Sequence, residues 1–226
     1  MTKKLKIDIV SDVVCPWCYV GNSRLEKALA ENKDIMAEIT WHPFQLHPDV
    51  AKGQNLNAAE FLGNKYQRDP QPMIDQMQQV ADQEGVEMNF DKVLNIPNTL
   101  DAHRLMHYAR EEKKDTELSL TLFKAYFVEG KDMENKDILV ECGKQAGLSE
   151  EAISKFDSSE EALQSVIAEE TQFRNAGVSA VPTFIINDKF MIQGAQPAEV
   201  WKQAFEQIEG LPLDDANACG PDGCEI

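Results

Sequence analysis

Apolar and polar positions divide the chain into a strand–helix–strand beginning, a helical middle and a strand–strand–helix end. Residues 5–10 are apolar and β-branched, which predicts a strand, and residues 35–44 alternate as a second strand would. Between them, residues 21–32 repeat their apolar side chains at helical spacing. The beginning of the chain therefore predicts a strand, a helix and a second strand.

The middle of the chain has helical periodicity. Apolar residues recur at helical spacing in 57–68, 73–84, 98–112, 116–128 and 136–146. Gly147 is a suitable residue to follow a helix end, and Ser149 and Ser158 are N-cap candidates for two further helices. This block of roughly 120 residues is large enough to have its own core.

Strand character returns near the end. Residues 182–186 and 189–193 predict two strands joined by a turn at Asn187-Asp188, and an amphipathic helix follows them. The predicted fold class is α/β, with a central mixed sheet, flanking helices and an inserted all-helical domain. The sheet domain is predicted in two parts, residues 1–50 and 177–210. The helical domain between them covers residues 51–176, and a flexible tail covers residues 211–226.

Composition and charge narrow the function. The 226 residues include 22 basic and 39 acidic ones, a formal net charge of −17, which repels a phosphate backbone and argues against nucleic-acid binding. No stretch is long and apolar enough for a membrane span, and the N-terminus lacks the apolar region of a signal peptide. We therefore expect a cytoplasmic protein that does not bind membranes. Composition does not indicate its oligomeric state.

Cys15-Pro16-Trp17-Cys18 carries the candidate chemistry. It lies between a predicted strand and a predicted helix, where the helix dipole and free backbone N–H groups stabilise a thiolate on Cys15. Cys18 is close enough to resolve a mixed disulfide. Pro16 suits the first helical turn, and Trp17 either meets a substrate or covers the site. This context predicts thioredoxin-like redox chemistry.

A zinc site and a purely structural role are weaker interpretations of these two cysteines. The two cysteines would supply only half of the ligands of a structural zinc site. A second ligand pair at matched spacing would be needed, and the chain has no second C-x-x-C. A structural role would make both cysteines buried residues without chemistry. No metal ligands are therefore assigned.

Val181-Pro182 is the second candidate element. In a thioredoxin-type site, a proline lies opposite the disulfide, and a cis bond before it exposes backbone that pairs with an extended substrate. The alternative is an ordinary trans proline at the start of a strand. The C-x-x-C motif and the hairpin that follows favour the first interpretation.

These residues resemble the DsbA family of thioredoxin-fold oxidoreductases, and in particular its cytoplasmic FrnE-like branch. The matching stretches are SDVVCPWCYVG (11–21), WHPFQL (41–46), NT with AH (98–99, 102–103), GVSAVPTF (177–184) and GAQ (194–196). The resemblance implies a thioredoxin-like domain interrupted by helices, thiol–disulfide exchange and a cis bond before Pro182. Related members with serine for the first cysteine are similar to glutathione-dependent isomerases and transferases. This chain keeps both cysteines, which favours redox chemistry.

Cys219 and Cys224 form a C-x4-C pair in the tail. The pair is similar to one that some FrnE-like proteins carry near the C-terminus. The pair could exchange disulfides with Cys15–Cys18 in an internal relay. Binding of a soft metal through its thiolates and an inert tail are the two alternatives.

Asp12, a histidine pair and Cys142 are further candidates. Asp12 either accepts the proton that Cys18 loses or caps the active-site loop. His103 and His107 have a spacing that can ligate metal, but a core or surface role is favoured, and His103 is also a candidate to line the cleft between the domains. Cys142 is interpreted as a small buried apolar residue.

The sequence predicts an enzyme that exchanges disulfides with protein or peptide substrates through Cys15 and Cys18. Val181 and Pro182 would hold the substrate strand. No tightly bound cofactor is expected, and glutathione or another small thiol is a candidate redox partner. The rival predictions are a glutathione-dependent isomerase or transferase acting on a small aromatic compound, and a thiolate metal-binding protein.

Overall fold

The structure, a computed structural model, describes residues 3–209, with side chains up to Ile208. Its strands are β1 (Lys3–Ser11), β2 (Ile35–Pro43), β3 (Leu56–Asn57), β4 (Asn95–Ile96), β5 (Thr183–Ile186) and β6 (Phe190–Gln193). Its α-helices are α1 (Pro16–Glu31), α2 (Ala58–Tyr66), α3 (Gln71–Glu84), α4 (Leu100–Glu111), α5 (Asp115–Phe127), α6 (Lys136–Gln145), α7 (Glu150–Ser158), α8 (Glu161–Asn175) and α9 (Ala198–Glu209). A 3₁₀ turn covers Phe90–Lys92.

A four-stranded mixed sheet in the order β2-β1-β5-β6 forms the centre of the protein. β1 pairs in parallel with β2 and antiparallel with β5, and β5 pairs antiparallel with β6. Every residue of β1 from Ile7 onwards is buried, because helices cover both faces of an inner strand. This confirms the predicted α/β fold with a central mixed sheet.

Helices pack around the sheet and on one another. α1 packs mainly on α9 and α3 and also contacts α5 and β2, and α4, α5 and α8 contact β2. One apolar cluster includes Ile9 of β1, Leu25 of α1, Leu105 of α4, Phe123 of α5 and Trp201 of α9. Helices α4 and α5, which lie between β2 and β5, therefore share a core with the sheet, whereas Ala58 of α2 belongs to a second, smaller cluster.

Most predicted helix ends are confirmed. Ser149 caps α7 by accepting a hydrogen bond from the Ala152 N–H, and Gly147 follows α6 with φ +84°. Ser158 was wrongly predicted as an N-cap: it is the last residue of α7, and the N-cap of α8 is Glu160. The neighbouring serine competes successfully, since the Ser159 hydroxyl accepts from the Glu161 N–H.

The turn between β5 and β6 was predictable from local sequence, whereas the short strands β3 and β4 were not. Asn187 and Asp188 both have positive φ, as a type I′ turn requires, which confirms the predicted hairpin. The two-residue strands β3 and β4 were not predicted, because so short a pair has no periodicity to detect. In residues 3–209 we find no helix that is both long and apolar enough to cross a membrane.

Candidate active site

Cys15 occupies the N-cap of α1, and Pro16 is the first residue of the helix, as predicted. Pro16 has no N–H to leave unpaired at this position. The first turn of α1 contains no acidic residue that would compete with a thiolate for the helix dipole. The local sequence therefore places a sulfur atom at the positive end of a helix.

The loop that contains Val181 and Pro182 forms the opposite wall of the site. The Val181–Pro182 peptide bond is cis, as the resemblance implied. The Cys15 thiol lies 3.6 Å from the Val181 carbonyl oxygen and donates a hydrogen bond to it. Two segments that are 166 residues apart in the chain thus meet at the sulfur of Cys15.

Close packing holds α1 against this loop. A Cβ atom at Gly21 would lie 2.9 Å from Pro182 Cγ and 3.2 Å from Phe184 Cζ, so only glycine allows this approach. The Arg24 guanidinium donates to the Ala195 carbonyl at 2.5 Å, and the Gly194 N–H donates to the Pro182 carbonyl at 2.7 Å. The geometry at Cys15 therefore depends on contacts further along α1.

Cys18 lies deeper than its partner in the motif. It is 1% exposed, and burial raises the pKa of its thiol well above the ordinary value. Cys15 adds to this rise, whereas hydrogen bonds from the Ser11 hydroxyl and the Asp12 backbone lower the pKa of Cys18. Both cysteines are free thiols in this structure. Burial therefore favours the protonated thiol of Cys18, and a proton acceptor is needed to form its thiolate.

Trp17 is the most accessible residue of the motif. Its side chain is 40% exposed, and Pro16 beside it is partly exposed. An exposed indole of this size offers apolar contact area at the entrance to the buried cysteines. Whether Trp17 contacts a substrate stays a prediction.

Asp12 and His103 form a buried polar pair beneath the motif. The Asp12 carboxylate is fully buried, and its Oδ2 accepts from the Leu46 N–H at 2.7 Å. Its Oδ1 lies 3.3 Å from His103 Nε2. The Nε2 proton points instead to the Phe44 carbonyl at 3.2 Å, so Oδ1 has no hydrogen-bond partner among residues 3–209.

Asp12 reaches the cysteines through its backbone. Its carbonyl accepts from the Cys15 N–H at 3.1 Å, and its backbone hydrogen bond acts on Cys18. Its carboxylate is turned towards Leu46 and His103. Asp12 therefore anchors the active-site loop, and its part in proton transfer stays a prediction.

Sequence reasoning missed a charged cluster beside this site. His42 lies between two carboxylates, with Nε2 2.8 Å from Asp8 Oδ1 and Nδ1 2.5 Å from Glu169 Oε1. Arg110 donates two hydrogen bonds to Glu169. No short motif links these four residues, because they come from β1, β2, α4 and α8.

The remaining candidates lie apart from the motif or outside the described residues. Cys142 is 1% exposed in α6, and burial raises the pKa of its thiol to about 11, which confirms that it is a small buried residue. Cys219 and Cys224 lie outside the described residues. Within residues 3–209, no three His, Cys, Asp or Glu side chains are arranged to hold a metal ion.

Comparison with known proteins agrees with this geometry. The model of the DSBA-like thioredoxin domain matches residues 6–206, which include both cysteines and Pro182. The chain belongs to this family. Thiol chemistry at the start of α1 is in keeping with that membership.

Two relatives cover nearly the whole chain. YwbO of Bacillus subtilis is 32% identical over 208 residues, which are 88% of this chain and 94% of that protein. The "probable DsbA oxidoreductase SCO1869" of Streptomyces coelicolor is 33% identical, with a TM-score of 0.84 over 98% of this chain and 99% of its own. The similarity therefore extends along nearly the full length of these proteins.

More distant structures share the fold. The cytosolic disulfide reductase DsbM of Pseudomonas aeruginosa, solved with glutathione, is 19% identical, with a TM-score of 0.65 over 91% of this chain and all of its own. A 2-hydroxychromene-2-carboxylate isomerase is 17% identical, with a TM-score of 0.61 over 90% of this chain and 95% of its own. At these identities the likeness extends to the fold alone.

Proposed function

We propose that the protein is a thiol–disulfide oxidoreductase that acts on protein or peptide substrates through Cys15 and Cys18. The observation that supports this proposal is the position of the Cys15 sulfur, at the N-terminus of α1 and 3.6 Å from the carbonyl of the residue before a cis proline. Helix dipole and backbone N–H groups favour the thiolate at that position. In this proposal an extended substrate pairs with the backbone of Val181.

The reaction has two exchange steps. The Cys15 thiolate attacks a substrate disulfide, one substrate sulfur leaves as a thiolate, and a mixed disulfide with Cys15 forms. Cys18 then loses its proton and attacks the Cys15 sulfur, which releases the second substrate thiolate. The substrate is reduced by two electrons and the Cys15–Cys18 pair is oxidised. The same steps in reverse oxidise a substrate dithiol.

Residues in and around the motif have supporting roles in this proposal. Asp12 and His103 hold the loop before Cys15 through the hydrogen bonds to Leu46 and Phe44. Pro16 and Trp17 shape the entrance, and Trp17 offers the apolar surface on which a substrate segment rests.

Replacement of each cysteine tests the assignment of roles. Cys15→Ser should reduce insulin reduction and disulfide refolding to the uncatalysed rate, because the attacking sulfur is lost. Cys18→Ser should accumulate a mixed disulfide on Cys15, visible as an added mass that dithiothreitol removes. Activity retained in the Cys15→Ser variant contradicts the proposal.

Glutathione is the small thiol that the proposal favours as redox partner. DsbM, which shares the fold, was solved with glutathione. A groove of about 460 Å³ begins at Leu46, whose N–H binds Asp12, and continues along α2. Lys65 lines this groove, with Nζ 3.1 Å from His47 Nδ1, and such a cation suits a carboxylate of a small peptide thiol. DsbM is also described as cytosolic, and we propose the same compartment here.

We also propose that Cys219 and Cys224 exchange disulfides with Cys15–Cys18. The C-x4-C spacing supports this part of the proposal. Replacing both tail cysteines by serine should slow the return of Cys15–Cys18 to its starting redox state under turnover, while a single exchange keeps its rate. Cys142→Ala is the matched control, because it removes a thiol that is buried elsewhere. Equal turnover of all three proteins would contradict the relay.

A further inference from the structure

Resolution of the mixed disulfide requires a proton acceptor for Cys18. The thiol is 1% exposed, so bulk water has little access to it, and burial opposes formation of its thiolate. The Asp12 carboxylate is directed towards Leu46 N and His103. The proton therefore needs another route out of the protein.

Ser11 is the polar side chain next to the Cys18 sulfur. It is the last residue of β1 and 5% exposed, and its hydroxyl lies close enough to Cys18 to lower the pKa of that thiol. A hydroxyl can donate one proton while it accepts another, so it can pass a proton along a hydrogen-bonded chain. Ser11 thus connects the buried sulfur to whatever lies on its other side.

A narrow cavity lies beside Ser11. Its volume is about 10 Å³, the space that the centre of about one water molecule requires. The polar side chains that line it include Ser11, Ser119 of α5, and His103 and His107 of α4. The charged cluster of His42, Arg110 and Glu169 forms its remaining polar wall. A water molecule in this cavity has the two or more polar partners that a buried water needs.

His107 provides the acceptor. Its Nδ1 is buried and has no hydrogen-bond partner within residues 3–209. Its Nε2 faces Glu111 Oε1 at 3.7 Å, and the side chain is 21% exposed. His103, by contrast, donates through Nε2 to Phe44. His107 is therefore the cavity histidine with an unpaired nitrogen on the inside and access to solvent on the outside.

We propose that a water molecule in this cavity joins Ser11 Oγ to His107 Nδ1, and that this chain removes the Cys18 proton during resolution. This inference rests on the proposed function. The disulfide between Cys15 and the substrate breaks, the Cys15–Cys18 disulfide forms, and the substrate sulfur leaves as a thiolate. The Cys18 proton passes through Ser11 and the water to His107 Nδ1, and then to solvent beside Glu111.

The two exchange steps can be observed separately with 5,5′-dithiobis(2-nitrobenzoate). The first thionitrobenzoate is released when Cys15 attacks the reagent, and the second when Cys18 resolves the mixed disulfide. The full-length chain is used with Cys219→Ser and Cys224→Ser, so that the tail thiols do not contribute. The buried Cys142 thiol reacts slowly, because its pKa is raised to about 11.

Ser11→Ala and His107→Asn should each leave the first release unchanged and slow the second about 100-fold near neutral pH, as expected when a proton acceptor is lost. Asparagine keeps a hydrogen-bonding group near the Nδ1 position but does not take up a proton. In both variants the second rate should rise with hydroxide concentration, because bulk hydroxide then removes the proton. Ser119→Ala is the matched control, because Ser119 lines the same cavity but is not part of the proton-transfer chain. This variant should resolve the mixed disulfide at the rate of the parent protein.

The outcomes separate this inference from the proposed function. If the parent protein resolves the mixed disulfide, and both variants do so at the same rate and with the same pH profile, the relay is overturned while the proposed function stands. If the parent gives no second release and no Cys15–Cys18 disulfide, both are overturned. Equal slowing in Ser119→Ala also overturns the relay, because it would show a general effect of the cavity wall.

Discussion

Cys15 and Cys18 are separated by two residues in the motif, yet their surroundings differ. Cys15 lies at the helix N-terminus with its thiol on the Val181 carbonyl, whereas Cys18 lies behind the first helical turn against Ser11. Spacing alone predicts that the two sulfurs can meet. Burial raises the pKa of Cys18, which supports the proposal that Cys15 attacks first.

His42 shows how neighbouring charges outweigh burial. Burial lowers the pKa of His42, but its hydrogen bonds and charge interactions with Asp8 and Glu169 together raise it above the ordinary value. Burial likewise raises the pKa of Glu169, and His42 and Arg110 reverse this and hold it at about 2. The cluster is therefore stable as a set of charges that join the sheet to α4 and α8.

The pH dependence of stability tests this cluster. Because the folded-state pKa of His42 is raised, its contribution is complete below the unfolded pKa of about 6.5 and is lost as the pH rises through the folded-state pKa. His42→Gln should lower the free energy of unfolding by about 1–3 kcal/mol near pH 6, because it removes the charged group that Asp8 and Glu169 share. The difference from wild type should shrink as the pH rises through the folded-state pKa of His42.

Urea unfolding of both proteins over a series of pH values measures this effect. The contribution of Glu169 has the opposite dependence: its lowered pKa gives stability that is present above its ordinary value of 4.5 and is lost as the pH falls towards about 2. A stability difference between wild type and His42→Gln that does not change with pH would show that the charge of His42 is unimportant.

Among the helices and loops, the contact between α1 and the Pro182 loop decides the site geometry. α1 carries Cys15 at its N-cap and Gly21 one turn and a half along, where the backbone approaches Pro182. Glu84 of α3 binds Arg24 and Lys27 further along the same helix. These contacts position the sulfur opposite Val181, although Gly21, Arg24 and Lys27 lie outside the C-x-x-C motif.

Gly21→Ala tests this contact. The added Cβ would meet Pro182 Cγ at 2.9 Å, so we expect a loss of about 1–3 kcal/mol in the free energy of unfolding and slower disulfide exchange. Gly63→Ala is the matched control in α2, since the atoms nearest to its Cβ are 3.7 Å away. That change should stabilise the protein by about 0.5–1 kcal/mol. Equal effects of the two substitutions would contradict the close approach.

Over the full chain, the helices between β2 and β5 are joined to the sheet by core and polar contacts. The Trp41 N–H of β2 donates to Asp115 at the start of α5, and the Trp41 indole donates to Thr116. Trp41 also packs on Phe123 in the shared core. The division into residues 1–50 with 177–210 and residues 51–176 stays a prediction about domain organisation.

The shared core predicts a single cooperative unfolding transition. Circular dichroism reports mainly on the helices, and tryptophan fluorescence reports on Trp17, Trp41 and Trp201, of which Trp41 and Trp201 are buried. Both signals should change at the same urea concentration, as in two-state unfolding. Two separate midpoints would show that the helical block and the sheet domain unfold independently.

Local chemistry was sufficient to predict several features from the residues alone. The Asn187-Asp188 turn, the Ser149 cap and the position of Pro16 depend on neighbouring residues, and each is confirmed. Ser158 failed as an N-cap because serines at 158 and 159 offer equivalent hydroxyls, and their choice depends on where α7 ends.

Contacts between residues distant in sequence could not be predicted from the pattern of apolar and polar positions. The Cys15–Val181 hydrogen bond, the Asp12–His103 pair and the cavity between Ser11 and His107 each join residues distant in sequence. Apolar spacing shows which face of an element is buried but does not show which element covers it. The motif predicted redox chemistry, and only the tertiary structure placed the Cys15 sulfur against Val181 and enclosed Cys18, because both depend on packing between distant segments.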